Sequence, residues 1–308
     1  MAKYSQTKLM KRAIAEKIHI LRKLDLVTVK EANLENHVRQ LLNIGYLTRP
    51  LPVNAQRVFR VRANEDKELF KNTRELWYPP PECIKERGRV NNIGESVFYY
   101  SDSLDTAVFE KRPKVKDIIT VLEAELIDPE KLPRVMVLGV HEYTAKSNPN
   151  YGGTPPQQDV KQKEFEQREG ISKTNPILQA YLTDEFLREV KAGNEHEYKI
   201  TLAIAKILMN EPEILNDDGS PANDVTIDGF AYPSIKSNNL GANVALKTES
   251  SDDLFRPVAC TLYRVEDFEE DELHYTIGKL MWSSSIEEDG TINWAREEPE
   301  MNLSTKNL

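Results

Sequence analysis

The sequence predicts a mixed α and β protein with a small helical segment at its N-terminus. Three observations predict it. Residues 1–50 carry apolar side chains at helical spacing. From Gln56 onward, short runs rich in β-branched and aromatic residues are bounded by Gly, Pro, Asn and Asp, as strands are. Farther on, Asn175 to Lys191 and His196 to Met209 return to helical periodicity. The expected division is 1–50, a basic helical hairpin serving as an accessory segment; 51–272, the main domain; and 273–308, a C-terminal hairpin with a polar tail.

Leu9, Ala13, Ile14, Ile18 and Leu21 fall on one face of a first helix. Thr28-Val29-Lys30-Glu31 has the capping-box pattern and opens a second. Val38, Leu41 and Leu42 continue that helix, and Gly45 can end it. Lys and Arg number ten in residues 1–50 against four acids, a net +6, which leaves −15 for the rest of a chain whose total is −9. The contrast fits a solvated basic face, a surface for a partner, or a helix-turn-helix on DNA, with DNA contact the least expected. Pro50 to Gln56 reads as a linker. Gln56 to Arg62 alternates apolar and basic residues and reads as a strand. Ala63 to Glu86 holds Trp77, Tyr78 and Pro79-Pro80-Pro81, so it cannot be one regular element; its aromatics either wall a pocket or anchor a loop.

Farther along, Ile118 to Leu126 and Val135 to Val140 read as strands. Ala145 to Glu169 reads as a mobile polar loop, and Asp217 to Ala222 as a turn-rich connection. Ile227 to Ser234 is a strand end or loop, and Asn243 to Lys247 and Pro257 to Tyr263 are strands. Lys279 to Trp282 and Thr291 to Trp294 are separated by a segment holding Asp289-Gly290, a hairpin signal.

Charged residues make up 30% of the chain, so its surface should be polar. No apolar run approaches the roughly 18 residues of a membrane span, and no signal-peptide pattern opens the chain. Cys83 and Cys260 alone imply no disulfide framework. Together these features point to the cytoplasm and to no membrane partner. The five histidines are scattered without a close cysteine, so no metal site is expected.

Arg87 to Pro113 organises the rest. Ser96 to Tyr100 is β-branched and aromatic, a short strand; Ser103 can then cap a helix, with Asp105 favourable in its first turn. Arg89 precedes the strand, Tyr99 lies in it, and Glu110 lies on the helix after it. A cation, an aromatic and a carboxylate can therefore meet in one cleft.

This stretch resembles the RES domain, whose pattern is roughly G-R-aromatic-N-x-x-G, then V-L-Y-x-A, then T-A-x-x-E. Here those segments read Gly88-Arg89-Val90-Asn91 with Gly94, Val97-Phe98-Tyr99, and Thr106-Ala107-Val108-Phe109-Glu110. A later D-G-I-x-Y-P-S motif followed by N and a hydrophobic strand is matched by Asp228-Gly229-Phe230-Ala231-Tyr232-Pro233-Ser234 and Asn243-Val244-Ala245-Leu246. The resemblance spans Gln56 to Phe268. One departure is Val90, where the family has an aromatic. RES proteins are similar in fold to ADP-ribosyltransferase toxins, so the resemblance implies an α+β domain with a split, mostly antiparallel sheet around an NAD cleft. Characterised members act on NAD, typically as bacterial toxins that deplete it.

The resemblance therefore implies an enzyme that cleaves the nicotinamide–ribose bond of NAD, with phosphate or water as acceptor: an NAD phosphorylase or glycohydrolase. NAD is then a substrate and no cofactor is expected. A cognate antitoxin and a second copy of the chain are further candidate partners. Cleavage builds positive charge on the ribose, which a fixed carboxylate stabilises; Glu110 matches the family glutamate. Arg60 and Arg89 match the two family arginines that would grip the pyrophosphate, with Arg62 a rival to Arg60. Tyr99 can stack on the nicotinamide ring. Ser234 matches the motif serine and would hydrogen-bond substrate or Glu110, and Asn243 would order the same site. Plainer readings exist for each: a surface acid, paired arginines, a core tyrosine, a Tyr-Pro-Ser turn. No G-x-x-x-x-G-K-[ST] loop and no G-x-G-x-x-G after a strand is present. Two other functions stay open: a mono-ADP-ribosyltransferase using the same pocket, and a non-enzymatic partner-binding protein on a decayed toxin fold.

Overall fold

Helix formation at the N-terminus follows from apolar residues recurring on one face, and strand formation after Gln56 from period-two alternation. The structure, a computed structural model, describes residues 2–44, 50–53, 56–65, 68–138, 175–210, 226–234, 241–269, 274–296 and 303–304. In chain order the elements begin with α1 (Ala2–Lys23), α2 (Glu31–Leu42), β1 (Leu51–Pro52), β2 (Arg57–Ala63) and β3 (Phe98–Ser101). Next come α3 (Leu104–Lys111), β4 (Ile118–Leu126), β5 (Arg134–Val137), α4 (Asn175–Leu187), α5 (Lys199–Asn210) and β6 (Gly229–Pro233). The last are β7 (Ala242–Leu246), α6 (Thr248–Leu254), β8 (Phe255–Glu269), β9 (His274–Ser283), β10 (Ala295–Arg296) and β11 (Leu303–Ser304). The expected stop at Gly45, the loop at Ala145 to Glu169 and the turn at Asp217 to Ala222 lie outside the described residues. The result is a mixed α+β fold with a large, mostly antiparallel sheet. Among the described residues no helix is long and apolar enough to cross a membrane.

Two units emerge, both discontinuous in sequence. One takes Met1–Pro52, Ile84–Glu95 and Arg134–Tyr232; the other takes Val53–Cys83, Ser96–Pro133 and Pro233–Leu308. In the first unit, α1 buries Ile14 and Leu21. Leu9 is exposed instead, because it sits about 140° around the helix from Ile14. α2 buries Leu34, Val38, Leu41 and Leu42 and packs on α5, where Lys206 pairs with Glu35 at 2.6 Å. The expected capping box does not form. The Thr28 hydroxyl donates to Asp25 Oδ2 at 2.7 Å, and α2 begins after Lys30 without a side-chain cap. Leu51–Pro52, expected as linker, pairs antiparallel with β5, which runs parallel to β6. A parallel pair needs a long crossover, and the described part of that crossover is α4 and α5.

α4 carries a buried carboxyl. Glu185 is 3% exposed and pairs with Arg188 at 2.6 Å, yet burial pushes its pKa above the ordinary glutamate value. The folded state therefore holds this proton more tightly than the unfolded chain. Its contribution to stability is complete below pH 4.5 and lost as pH rises through the raised folded value. Glu185→Gln should remove that part of the pH dependence. Denaturant melts of both proteins at stepped pH should diverge above the ordinary glutamate range, with the parent losing stability relative to the variant.

The second unit is a sheet in the order β7-β3-β2-β4-β8-β9-β10, with β11 also on β9, antiparallel throughout. β2 to β4 is paired along its length, but β2 meets β3 only at Phe59 and Ser101. β3 then continues along β7. Alternation sends Phe59, Val61, Ile119 and Val121 to one face, which Tyr263, Val265, Tyr275 and Ile277 of β8 and β9 extend, and Val108 and Phe109 of α3 pack on it. The opposite face packs Leu122 and Cys260 against Leu76 and Ile292. Trp77 and Tyr78 anchor the proline-rich loop: both donate to Asp252, at 3.0 and 2.7 Å, and Trp77 stacks on Phe98.

Candidate functional site

α3 starts where Ser103 accepts a hydrogen bond from the Thr106 amide, as its sequence position predicts, and Asp105 lies in the first turn. Thr106 to Phe109 are buried, so the helix is enclosed on most sides. Glu110, on the last turn, is half-buried, and side chains there lean back toward the N-terminus. Its Oε1 accepts from Ser234 Oγ at 2.5 Å and from Asn243 Nδ2 at 2.6 Å. Asn243 Oδ1 in turn accepts from Ser101 Oγ at 2.8 Å. Ser234 is fully buried, and Asn243 and Ser101 nearly so. Four polar side chains from a helix, two strands and the residue after β6 thus form one chain of hydrogen bonds within the second unit.

The register explains the convergence. Ser101 stands opposite Asn243 in the β3–β7 pair, and opposite Phe59 in the β2–β3 pair. Cross-strand partners share a face, so Ser101 and Asn243 lie on the face that α3 covers. Tyr99, two residues before Ser101, belongs to the same face; it is half-buried and pairs with Ala245.

β7 is held to α3 by close approach. A Cβ on Gly241 would lie 1.9 Å from Thr106 Oγ1 and 2.9 Å from Asp102 Oδ1. Thr106 is buried with its hydroxyl engaged by Ser103, so it has little room to give. Asp102 Oδ2 also accepts from the Ala242 amide at 3.1 Å. Gly241→Ala should therefore force α3 away from β7. Overpacking of this kind costs about 1–3 kcal/mol, visible as a lowered Tm, and the shift should carry Glu110 off Asn243.

The structure does not bring Arg60 and Arg62 to Glu110. Strand alternation puts both on the opposite face of β2 from Phe59 and Val61. Arg60 Nη1 donates to the Tyr99 carbonyl at 2.8 Å and the guanidinium lies over the Phe98 ring. It bridges the place where β2 and β3 part. Burial, with Arg62 nearby, lowers its pKa to about 10, so it keeps its charge at neutral pH. Arg62 donates to the Glu75 carbonyl and lies over Phe70.

Arg89 belongs to the first unit. Its two terminal nitrogens donate to the Phe186 and Arg188 carbonyls, the second at 2.9 Å, at the C-terminal end of α4. Its guanidinium also lies over the Tyr198 and Tyr232 rings. A cation there satisfies orphan carbonyls and complements the helix dipole. Val90 beside it is buried, so no aromatic is needed at that position for packing. Of the later motif, Asp228 accepts from the Arg134 amide at 2.7 Å and ties β6 to β5.

Sequence reasoning does not single out Ser101, Asp102 or Gly241. The signal for Ser101 was its spacing of two from Tyr99, which fixes its face; the register against Asn243 is not readable from the chain alone. No family model matches the chain, and no curated protein matches it.

Proposed function

We propose that the Glu110 cluster is the catalytic centre of an enzyme that cleaves the nicotinamide–ribose bond of NAD, with phosphate or water as acceptor. One observation carries the reading. The carboxylate of Glu110 is gripped by Ser234 and Asn243, residues 124 and 133 positions away, and all three fall on the motif positions that resemble the RES pattern. A surface acid has no such partners.

The chemistry follows from charge. As the glycosidic C–N bond breaks, its electron pair leaves with nicotinamide and positive charge builds on the ribose carbon. A carboxylate fixed beforehand stabilises that charge without reorganising. Ser234 and Asn243 supply the fixing, and Tyr99 offers an aromatic surface on the same face. The acceptor oxygen then bonds to the ribose carbon, water releasing a proton to solvent as it does so, which gives ADP-ribose from water or its phosphorylated counterpart from phosphate. The reading does not depend on Arg60, Arg62 or Arg89, whose guanidinium groups donate to backbone carbonyls.

Purified protein incubated with NAD, with and without phosphate, tests the proposal by mass spectrometry of the products. Free nicotinamide with ADP-ribose or its phosphate is the expected result. Nicotinamide release with ADP-ribose attached to a macromolecule would instead make the protein a transferase. Intact NAD would overturn the proposal.

A further inference from the structure

We infer that Ser101 is a positioning residue for Glu110, acting through Asn243. The inference rests on the proposed role of Glu110. Ser101 reaches no reacting atom; its hydroxyl donates to Asn243 Oδ1 at 2.8 Å. A carboxamide has an acceptor end and a donor end of nearly equal shape, and a half-turn exchanges them. Only one orientation serves Glu110: the one with Nδ2 toward Oε1, as found at 2.6 Å. In the other, two acceptors would face each other at hydrogen-bond distance. Ser101 engages the oxygen end, so the amide is fixed from both sides.

The backbone brings the two side chains within reach of each other. Ser101 and Asn243 are directly opposed, which puts their Cβ atoms about 4.5–5.5 Å apart, within reach of two short side chains. Ser101 is also the β3 residue that pairs with β2, so strands hold it on both sides. At 4% and 6% exposure, neither residue has bulk water to replace the bond. Removing the hydroxyl leaves Asn243 Oδ1 a buried acceptor without this donor and frees the amide to turn.

A double-mutant cycle tests the inference. In the parent background, Ser101→Ala should lower kcat about tenfold, as expected for loss of one buried neutral hydrogen bond, with KM within about twofold. Asn243→Ala should lower kcat further. In the Asn243→Ala background, adding Ser101→Ala should change kcat by less than about twofold, because the path is already cut. Ser101→Thr, which keeps the hydroxyl, should recover most of the lost rate. If Ser101→Ala does not fold, Ser101→Cys, close in size and a poor donor, takes its place. Parental kcat in Ser101→Ala, or multiplying effects in the double variant, overturns the inference. If the parent itself leaves NAD intact, the proposed function falls, and side-chain NMR decides about Ser101. The Asn243 amide signals should move in Ser101→Ala, and unchanged signals overturn the positioning role.

Discussion

Glu110→Gln is expected to slow NAD cleavage by two to three powers of ten while leaving the fold and NAD binding nearly as they were. Gln keeps the volume, and its carbonyl oxygen can still accept from Ser234 and Asn243, so the hydrogen-bond chain to Ser101 has no reason to break. What disappears is the negative charge. Its loss matters most where positive charge develops, in the transition state and not in the bound substrate. A loss of about 3–4 kcal/mol of electrostatic stabilisation corresponds to that fall in rate. The measurement is kcat and KM by nicotinamide release, beside a thermal melt. A large fall in kcat with little change in KM and Tm is the expected pattern. Turnover near the parental rate would make Glu110 a structural acid and remove it from the site.

Arg89→Ala is expected to destabilise the protein by about 3–4 kcal/mol, a large part of the stability of an ordinary domain. Two charge-assisted hydrogen bonds to the end of α4 are lost, together with the contacts over Tyr198 and Tyr232. The Phe186 and Arg188 carbonyls lose these donors. Arg89→Lys should recover less than half, because an ammonium cannot fork between two carbonyls while lying flat on two rings. Urea melts give the comparison. An unchanged midpoint in Arg89→Ala, with NAD binding weakened instead, would favour the phosphate-gripping role that the RES resemblance implies.

How far the sequence reveals this arrangement differs from residue to residue. β4 runs from Ile118 to Leu126 as its β-branched run predicts, and Ser103 caps α3 because its hydroxyl accepts from the Thr106 amide, which the helix leaves unpaired. Glu110, Ser234 and Asn243 are visible as motif positions. Their hydrogen bonds are not, since these depend on a register set between segments more than a hundred residues apart. The arginines show the complementary difficulty. Arg60 and Arg62 plainly share a face, being two apart in a strand, but nothing local says that α3 covers the other one. Arg89 reads as a phosphate ligand from its motif, and nothing near it in the chain shows that the end of α4 supplies carbonyls for its guanidinium. Thr28 has a capping-box neighbourhood, yet its hydroxyl donates to Asp25 and the helix begins after Lys30 instead. Local pattern fixes elements and their faces; the partner that uses a polar group is chosen by tertiary contact.

The interleaving of the two units has a consequence for synthesis on the ribosome. The first unit is complete only after Tyr232 has emerged, because β6 closes its parallel pair. By then β2, β3, α3 and β4 already exist, without β7 and β8, which flank them in the finished sheet. Domain-by-domain folding behind the ribosome, the usual course for larger chains, can begin here only after Tyr232 has emerged. β3 and β4 emerge with open backbone edges that must wait for Ala242–Leu246 and Phe255–Glu269. An arrest series releasing chains before and after Leu246 should show this directly. Nascent chains stalled short of β7 should be captured by chaperones that recognise unpaired strands, and those stalled beyond β9, which covers the far edge of β8, should be captured less.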